Sequence, residues 1–326
     1  MKALLSTIFL LSSLLSATAS RARDVDSPQH VLSPPQVDRN NGIHLAVSPA
    51  CGPLSGAVSD VNAGINLKRI KTIVAFGDSY TDGGRTDGGP LAPPVVTPPD
   101  AGAGGRSTDG KVWVENLADD IGATLMDYAC RDYAFVRTFL GQSNTLDPNS
   151  TLYVIFFGIN DFGDSRSDGE ANLQAAAQVI LSQIRILASA PTNARNILLA
   201  DVYGLGTHTP AGDAMVQTVF SGLYDLHRGV NSTGHGEGVN GQAPGPALNV
   251  AFSQFSTIWD GVFGEPGYEA FGYVSTEACI RICCVTTGMC DDPEHYFYYI
   301  PNHPSKEGMR IMADYAEEVL ERCAEA

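Results

Sequence analysis

The chain has 326 residues, of which 44% are hydrophobic and 17% charged, and its formal net charge is −16. That length and composition allow one large or two small domains with a sizeable core and exclude global disorder. The acidic balance argues against nucleic acid and anionic membrane surfaces as partners, since both require basic patches.

In chain order, Lys2, an apolar stretch from Leu4 to Leu15 diluted by serines, and Ala17-Thr18-Ala19 form the pattern of a cleaved secretory signal over residues 1–19. No later stretch has the roughly 20 continuous apolar residues that spanning requires, so no stable membrane insertion is expected. Residues 20–67 are rich in Ser, Pro, Asn and Gly and read as a linker, a pro-segment or a surface strap; the globular domain is expected over 68–326. The sequons Asn149-Ser150-Thr151 and Asn231-Ser232-Thr233 suit an extracellular glycoprotein.

An apolar strand is predicted over 71–76. The Gly- and Pro-dense stretch 85–107 cannot be a helix interior and is read as a lid or binding wall. A helix follows over 108–121, then strands over 124–129 and 151–157, the second strongly apolar and central. A helix over 170–190 carries Leu173, Ala177, Ile180, Leu181, Ile184 and Leu187 on one face. After a strand over 196–202, helices are predicted over 211–229 and 247–263, and a last one from Pro304, at a favoured N-terminal position. Strands alternating with helices predict an α/β protein, a three-layer α/β/α sandwich around a central parallel sheet.

Seven cysteines are present, four of them between Cys279 and Cys290. The spacing lacks the paired C-x-x-C arms of a zinc site, and the secretory context favours disulfides. At least one bridge is expected within that segment, bracing the loop that leads to His303, and Cys51 is expected to tie its own segment to the body. An odd total leaves at least one thiol free or paired between chains.

The stretch from Ile73 to Gly84 places Ser79 immediately after a strand, where reactive groups of an open α/β sheet collect. Asn160 follows the central strand and His303 precedes the last helix. A serine, an amide donor and an imidazole are the parts that acyl transfer needs. At these residues the chain resembles the GDSL, or SGNH, hydrolase family, especially its secreted esterase and acetylesterase branch. The blocks are Gly77-Asp78-Ser79-Tyr80-Thr81-Asp82, Gly158-Ile159-Asn160-Asp161 and His303-Pro304-Ser305. The G-x-S-x-G elbow of α/β-hydrolases is absent.

The resemblance implies a flavodoxin-like SGNH fold, Ser79 as nucleophile and oxyanion donor, Asn160 and Gly158 at the oxyanion, and His303 as general base. It also implies small acyl esters, acetyl groups on plant cell-wall carbohydrate among them, with no metal or cofactor. Asp78 and Asp82 are expected to brace the serine turn. Trp113, Tyr80 and Tyr203 are weighed as sugar-stacking rings against ordinary core packing.

Two departures from the family pattern favour a second reading, a weakened or inactive SGNH-fold protein that binds carbohydrate or a partner protein. The family's acid, three residues before the histidine, is here Ile300; the resemblance also allows a backbone carbonyl in that role, while Asp291, Asp292 and Glu294 could replace it only if their loop folds back. Ile300→Asp is therefore expected to raise kcat. The second block, Tyr128-Ala129-Cys130-Arg131-Asp132-Tyr133-Ala134, lacks the family's oxyanion glycine and places Asp132 there instead.

Overall fold

The computed structural model describes residues 41–96, 104–129, 136–142, 145–229, 246–282 and 285–324. The signal region, the second sequon, Cys130, Asp132, Cys283 and Cys284 lie outside the described residues.

Five apolar runs form parallel strands: β2 (Thr72–Gly77), β3 (Thr124–Asp127), β4 (Thr151–Phe156), β5 (Asn196–Asp201) and β6 (Asn249–Gln254). The short β1 (Val61–Ala63) joins them antiparallel to β6, giving the order β1-β6-β5-β4-β2-β3. Successive strand residues point to opposite faces, so each run divides between two cores. Ile73, Ala75, Leu152, Val154, Phe156, Leu198 and Ala200 face one core. Val74, Phe76, Tyr153, Ile155, Ile197 and Leu199 face the other.

Helices α1 (Trp113–Asp120), α6 (Ser256–Phe263) and α7 (Lys306–Arg322) cover the first face. Helices α4 (Ala171–Ala188) and α5 (Pro210–His227) cover the second, with the short α2 (Arg137–Gly141). The expected three-layer sandwich is present. From β2 the chain adds β3 on one side, crosses to β4 on the other, and continues through β5 to β6. This is the flavodoxin-like order, and its topological switch point lies between the carboxyl ends of β2 and β4.

Several local expectations change. The helix expected over 247–263 is a strand, β6, followed by α6. Leu248, Val250, Ala251 and Phe252 are all buried, and a strand buried on both faces reads as a continuous apolar run, indistinguishable by period from a buried helix. Helix α7 begins at Lys306, because the Ser305 hydroxyl caps it by accepting from the Gly308 N–H at 3.4 Å. Pro304 instead lies in β9 (His303–Pro304), part of a small sheet with β7 (Ser275–Ala278) and β8 (Tyr296–Ile300). Ahead of β2, where no strand period is visible, β1 pairs with β6.

Two disulfides appear among the described residues. Cys279–Cys290 staples the loop between β7 and β8, as expected for the segment before His303. Cys51–Cys323 fastens the segment ahead of β1 to the end of α7. Buried Asp60 adds a second fastening there, accepting from the Ala50 and Gln254 N–H groups and from the Tyr315 hydroxyl. The described part of the 85–107 stretch is anchored rather than loose. Arg106 makes a buried two-point ion pair with Glu115 of α1, both N···O distances 2.7 Å, and donates to the Ala92 carbonyl. Further along, the Gly88 N–H donates to the Asp127 carbonyl.

Asp127 and Asp201, at the ends of β3 and β5, carry a measurable consequence. Burial pushes both carboxyls from the ordinary 3.8 up to about 7. Between those values the folded protein holds protons that the unfolded chain has released, so this contribution to stability is full below about pH 4 and lost as pH rises through about 7. Thermal unfolding is expected to give a higher Tm near pH 5 than near pH 8, and the difference should shrink in Asp127→Asn; the reverse order would refute the buried-acid account.

Candidate active site

Strand β2 ends at Gly77, where a side chain could not fit: a Cβ would stand 2.5 Å from Thr81 Oγ1 and 3.0 Å from the Phe156 carbonyl oxygen. The chain therefore turns tightly at once. Asp78 organises the turn, its side chain accepting from the Tyr80 N–H at 3.0 Å and its carbonyl accepting from the Thr81 and Asp82 N–H groups. Asp82 in turn accepts from the Gly84 N–H, so both aspartates brace the turn as the sequence predicts. Asp127 reaches across from β3 to accept from the N–H groups of Gly83 and Ala129, joining this turn to the second block. Ser79 is left half-buried at the crest.

The partner turn follows β4, in register with β2 so that Phe156 lies opposite Gly77. Gly158, at φ +135°, turns the chain into α3 (Ile159–Asp168), and a Cβ there would crowd Met215 and Tyr203. Asn160 thus sits exposed in the first turn of a helix rather than in a simple strand-end loop. The structure brings the Ser79 turn and the Asn160 helix start together at the switch point.

His303 arrives from the small sheet. Its Nε2 lies 2.8 Å from Ser79 Oγ, across 224 residues of sequence. Its Nδ1 lies 3.0 Å from the Pro301 carbonyl oxygen. A carbonyl can only accept, so Nδ1 carries the proton and Nε2 is the nitrogen that accepts from the serine hydroxyl.

The imidazole Nδ1 is thus bonded to a main-chain oxygen of its own turn. Of the three acidic residues offered as substitutes, Glu294 pairs with Lys306 at 2.5 Å and Asp292 stands beside His295 at 2.8 Å. Ile300 is 5% exposed and packs with Cys279, Ile280 and Tyr299.

Trp113, Tyr80 and Tyr203 are 0%, 1% and 3% exposed, which rules out sugar stacking and makes them core residues. Tyr80 has a further contact that no sequence period reveals: its hydroxyl donates to the Asn302 carbonyl at 2.5 Å. The other described histidines stand apart from this cluster, His208 between Asp213 and Asp260 and His227 on the Leu248 carbonyl. Among the described residues no group of three or more His, Cys, Asp and Glu side chains is arranged to hold a metal ion.

A family model for GDSL-like lipase/acylhydrolase matches residues 73–262, which is more than half of the chain. The match includes Ser79 and Asn160 and stops short of His303. Solved structures similar to the chain include a GDSL-like lipase from Parabacteroides merdae, 15% identical with a TM-score of 0.42, covering 78% of this chain and 98% of its own. Another is the lipase Lip_vut3 from a goat rumen metagenome, 12% identical with a TM-score of 0.39, covering 76% of this chain and 97% of its own. No curated relative matches the sequence.

Proposed function

The chain belongs to the GDSL-like lipase/acylhydrolase family of ester hydrolases, and from that premise we propose that it is a secreted serine esterase. Its substrates in this reading are small acyl esters, foremost acetyl groups on plant cell-wall carbohydrate. The observation that supports it best is the Ser79 Oγ to His303 Nε2 contact of 2.8 Å, with the second imidazole nitrogen already bonded.

In this reading His303 Nε2 takes the hydroxyl proton as Ser79 Oγ attacks the ester carbonyl carbon. The carbonyl electron pair moves to oxygen, and the oxyanion is held by the Ser79 N–H and the Asn160 amide, beside Gly158. Collapse breaks the bond to the alcohol oxygen, which leaves with the proton from Nε2. Water then attacks the acyl-serine, giving its proton to His303, and Ser79 is regenerated as the carboxylate departs.

The Pro301 carbonyl secures the reactive tautomer, though as a dipole it stabilises imidazolium less than a carboxylate would. Much of the roughly 10⁴-fold cost of an amide in place of the triad acid comes from the wrong tautomer, so the loss here should be smaller.

Secretion is supported by the pattern of residues 1–19 and by disulfides that suit an oxidising compartment. The acetyl and cell-wall assignments rest on resemblance to the secreted acetylesterase branch. Turnover of p-nitrophenyl esters of increasing acyl length, together with acetylated plant polysaccharide, tests the proposal. Acetyl esters should react fastest, and a phosphonate probe should leave its adduct on Ser79. No turnover of any ester, with retained binding to carbohydrate, would favour the inactive binder that Ile300 and Asp132 bring into view.

A further inference from the structure

We propose that Tyr80 is a positioning residue for His303, its hydroxyl clamping the Pro301-Asn302 turn so that the Pro301 carbonyl stays aimed at the imidazole Nδ1. The turn joins β8 to β9, with Ile300 paired to His303 across it. Two-residue hairpins usually adopt type I′ or II′ turns, both of which need φ > 0 at the first central residue. Proline at 301 cannot supply that. Instead Asn302 takes φ +60°, and Pro-Asn with a positive φ second is the type II combination. The central peptide is thereby turned over relative to a type I turn, and its carbonyl is the one that meets Nδ1 at 3.0 Å.

Something must hold this less favoured turn, and the next carbonyl along shows what does. Asn302 accepts from the Tyr80 hydroxyl at 2.5 Å, and the Tyr80 ring lies 5.4 Å from the imidazole ring, centroid to centroid. Tyr80 is itself fixed, 1% exposed and packed against Phe156 and Trp259. Burial pushes its phenol well above the ordinary value, so it remains a donor at any working pH.

Tyr80 follows Ser79 directly. One bond therefore links the turn carrying the serine to the turn carrying the histidine, which come from strands far apart in sequence. The Ser79–His303 hydrogen bond is broken during the reaction sketched above and cannot perform this role. The Tyr80–Asn302 bond involves no reacting atom and persists.

The kinetic part of this inference rests on Ser79 and His303 being nucleophile and base; the tautomer part does not. The test is Tyr80→Phe, which keeps the ring and removes the clamp. On p-nitrophenyl acetate kcat is expected to fall about tenfold with KM within about twofold, the order lost with one buried hydrogen bond. Two-bond ¹H–¹⁵N correlation spectra of His303 should show the Nδ1–H form dominant in the parent and mixed with Nε2–H in the variant.

Asn302→Val, at an exposed position where a β-branched residue resists φ > 0, should reproduce both effects, and Asn302→Gly should cost less. If the parent hydrolyses no ester but the tautomer shift appears, the esterase reading fails and the clamp stands. An unchanged tautomer in both Tyr80→Phe and Asn302→Val overturns the clamp, whatever happens to the rate.

Discussion

Replacing His303 by alanine is expected to lower kcat for ester hydrolysis by up to about 10⁶-fold, the order seen when the base or nucleophile of a serine hydrolase is removed. The fold should survive, since the imidazole is half-buried at a turn and its removal opens no core cavity. Ser79→Ala is expected to cost as much. The decisive measurement is the double variant. If Ser79 Oγ and His303 Nε2, 2.8 Å apart, act as one unit, removing both should be no worse than removing either. Losses that multiply, or a His303→Ala protein that retains a tenth of the parent rate, would show that the histidine is not the base. Circular dichroism and Tm on each variant separate lost chemistry from lost fold.

How much of this was legible beforehand depended on the kind of signal. Strands such as β2 and β4 announce themselves because a parallel strand buried on both faces must be apolar throughout. The same property hid β6, whose run merged with α6 into what looked like one helix. Ser79, Asn160 and His303 stand out in the sequence because each is a chemically distinctive side chain next to an element boundary, and the structure places Ser79 Oγ against His303 Nε2. A main-chain carbonyl at Nδ1 is an alternative that the resemblance allows, but which one cannot be read from the sequence, since every residue has one. Only the backbone conformation at Asn302 shows which carbonyl turns toward the ring. The Tyr80 ring is visible in the sequence beside Ser79 but the role of its hydroxyl is not, because a bond from a side chain to a carbonyl 222 residues away leaves no periodic trace. The sheet β7-β8-β9 leaves little trace for another reason: its strands are short, and β7 meets β8 only across the intervening cysteine-bearing loop.

Ile300→Asp is the second large effect, and the structure moves it from the rate to the stability. From sequence alone, restoring a carboxylate three residues before His303 should raise the rate. In the structure Nδ1 already has its acceptor, and the Ile300 side chain lies among Cys279, Ile280 and Tyr299 beside the Cys279–Cys290 bridge. A carboxylate placed there is either charged and unpaired or forced to protonate, and an uncompensated buried charge costs about 3–5 kcal/mol. To help catalysis it would have to leave that cluster and displace the Pro301 oxygen, giving up the packing of Ile300 as well, about 2 kcal/mol or more. The expected result is a denaturation midpoint shifted down by several kcal/mol in stability, with kcat of the folded fraction within about threefold of the parent. Urea unfolding supplies the first quantity, and active-site titration with the phosphonate probe corrects the second for the folded fraction. A gain of about tenfold or more, roughly 1.4 kcal/mol of barrier, would mean that the new carboxylate had reached Nδ1 and that the carbonyl it displaced was a poor substitute.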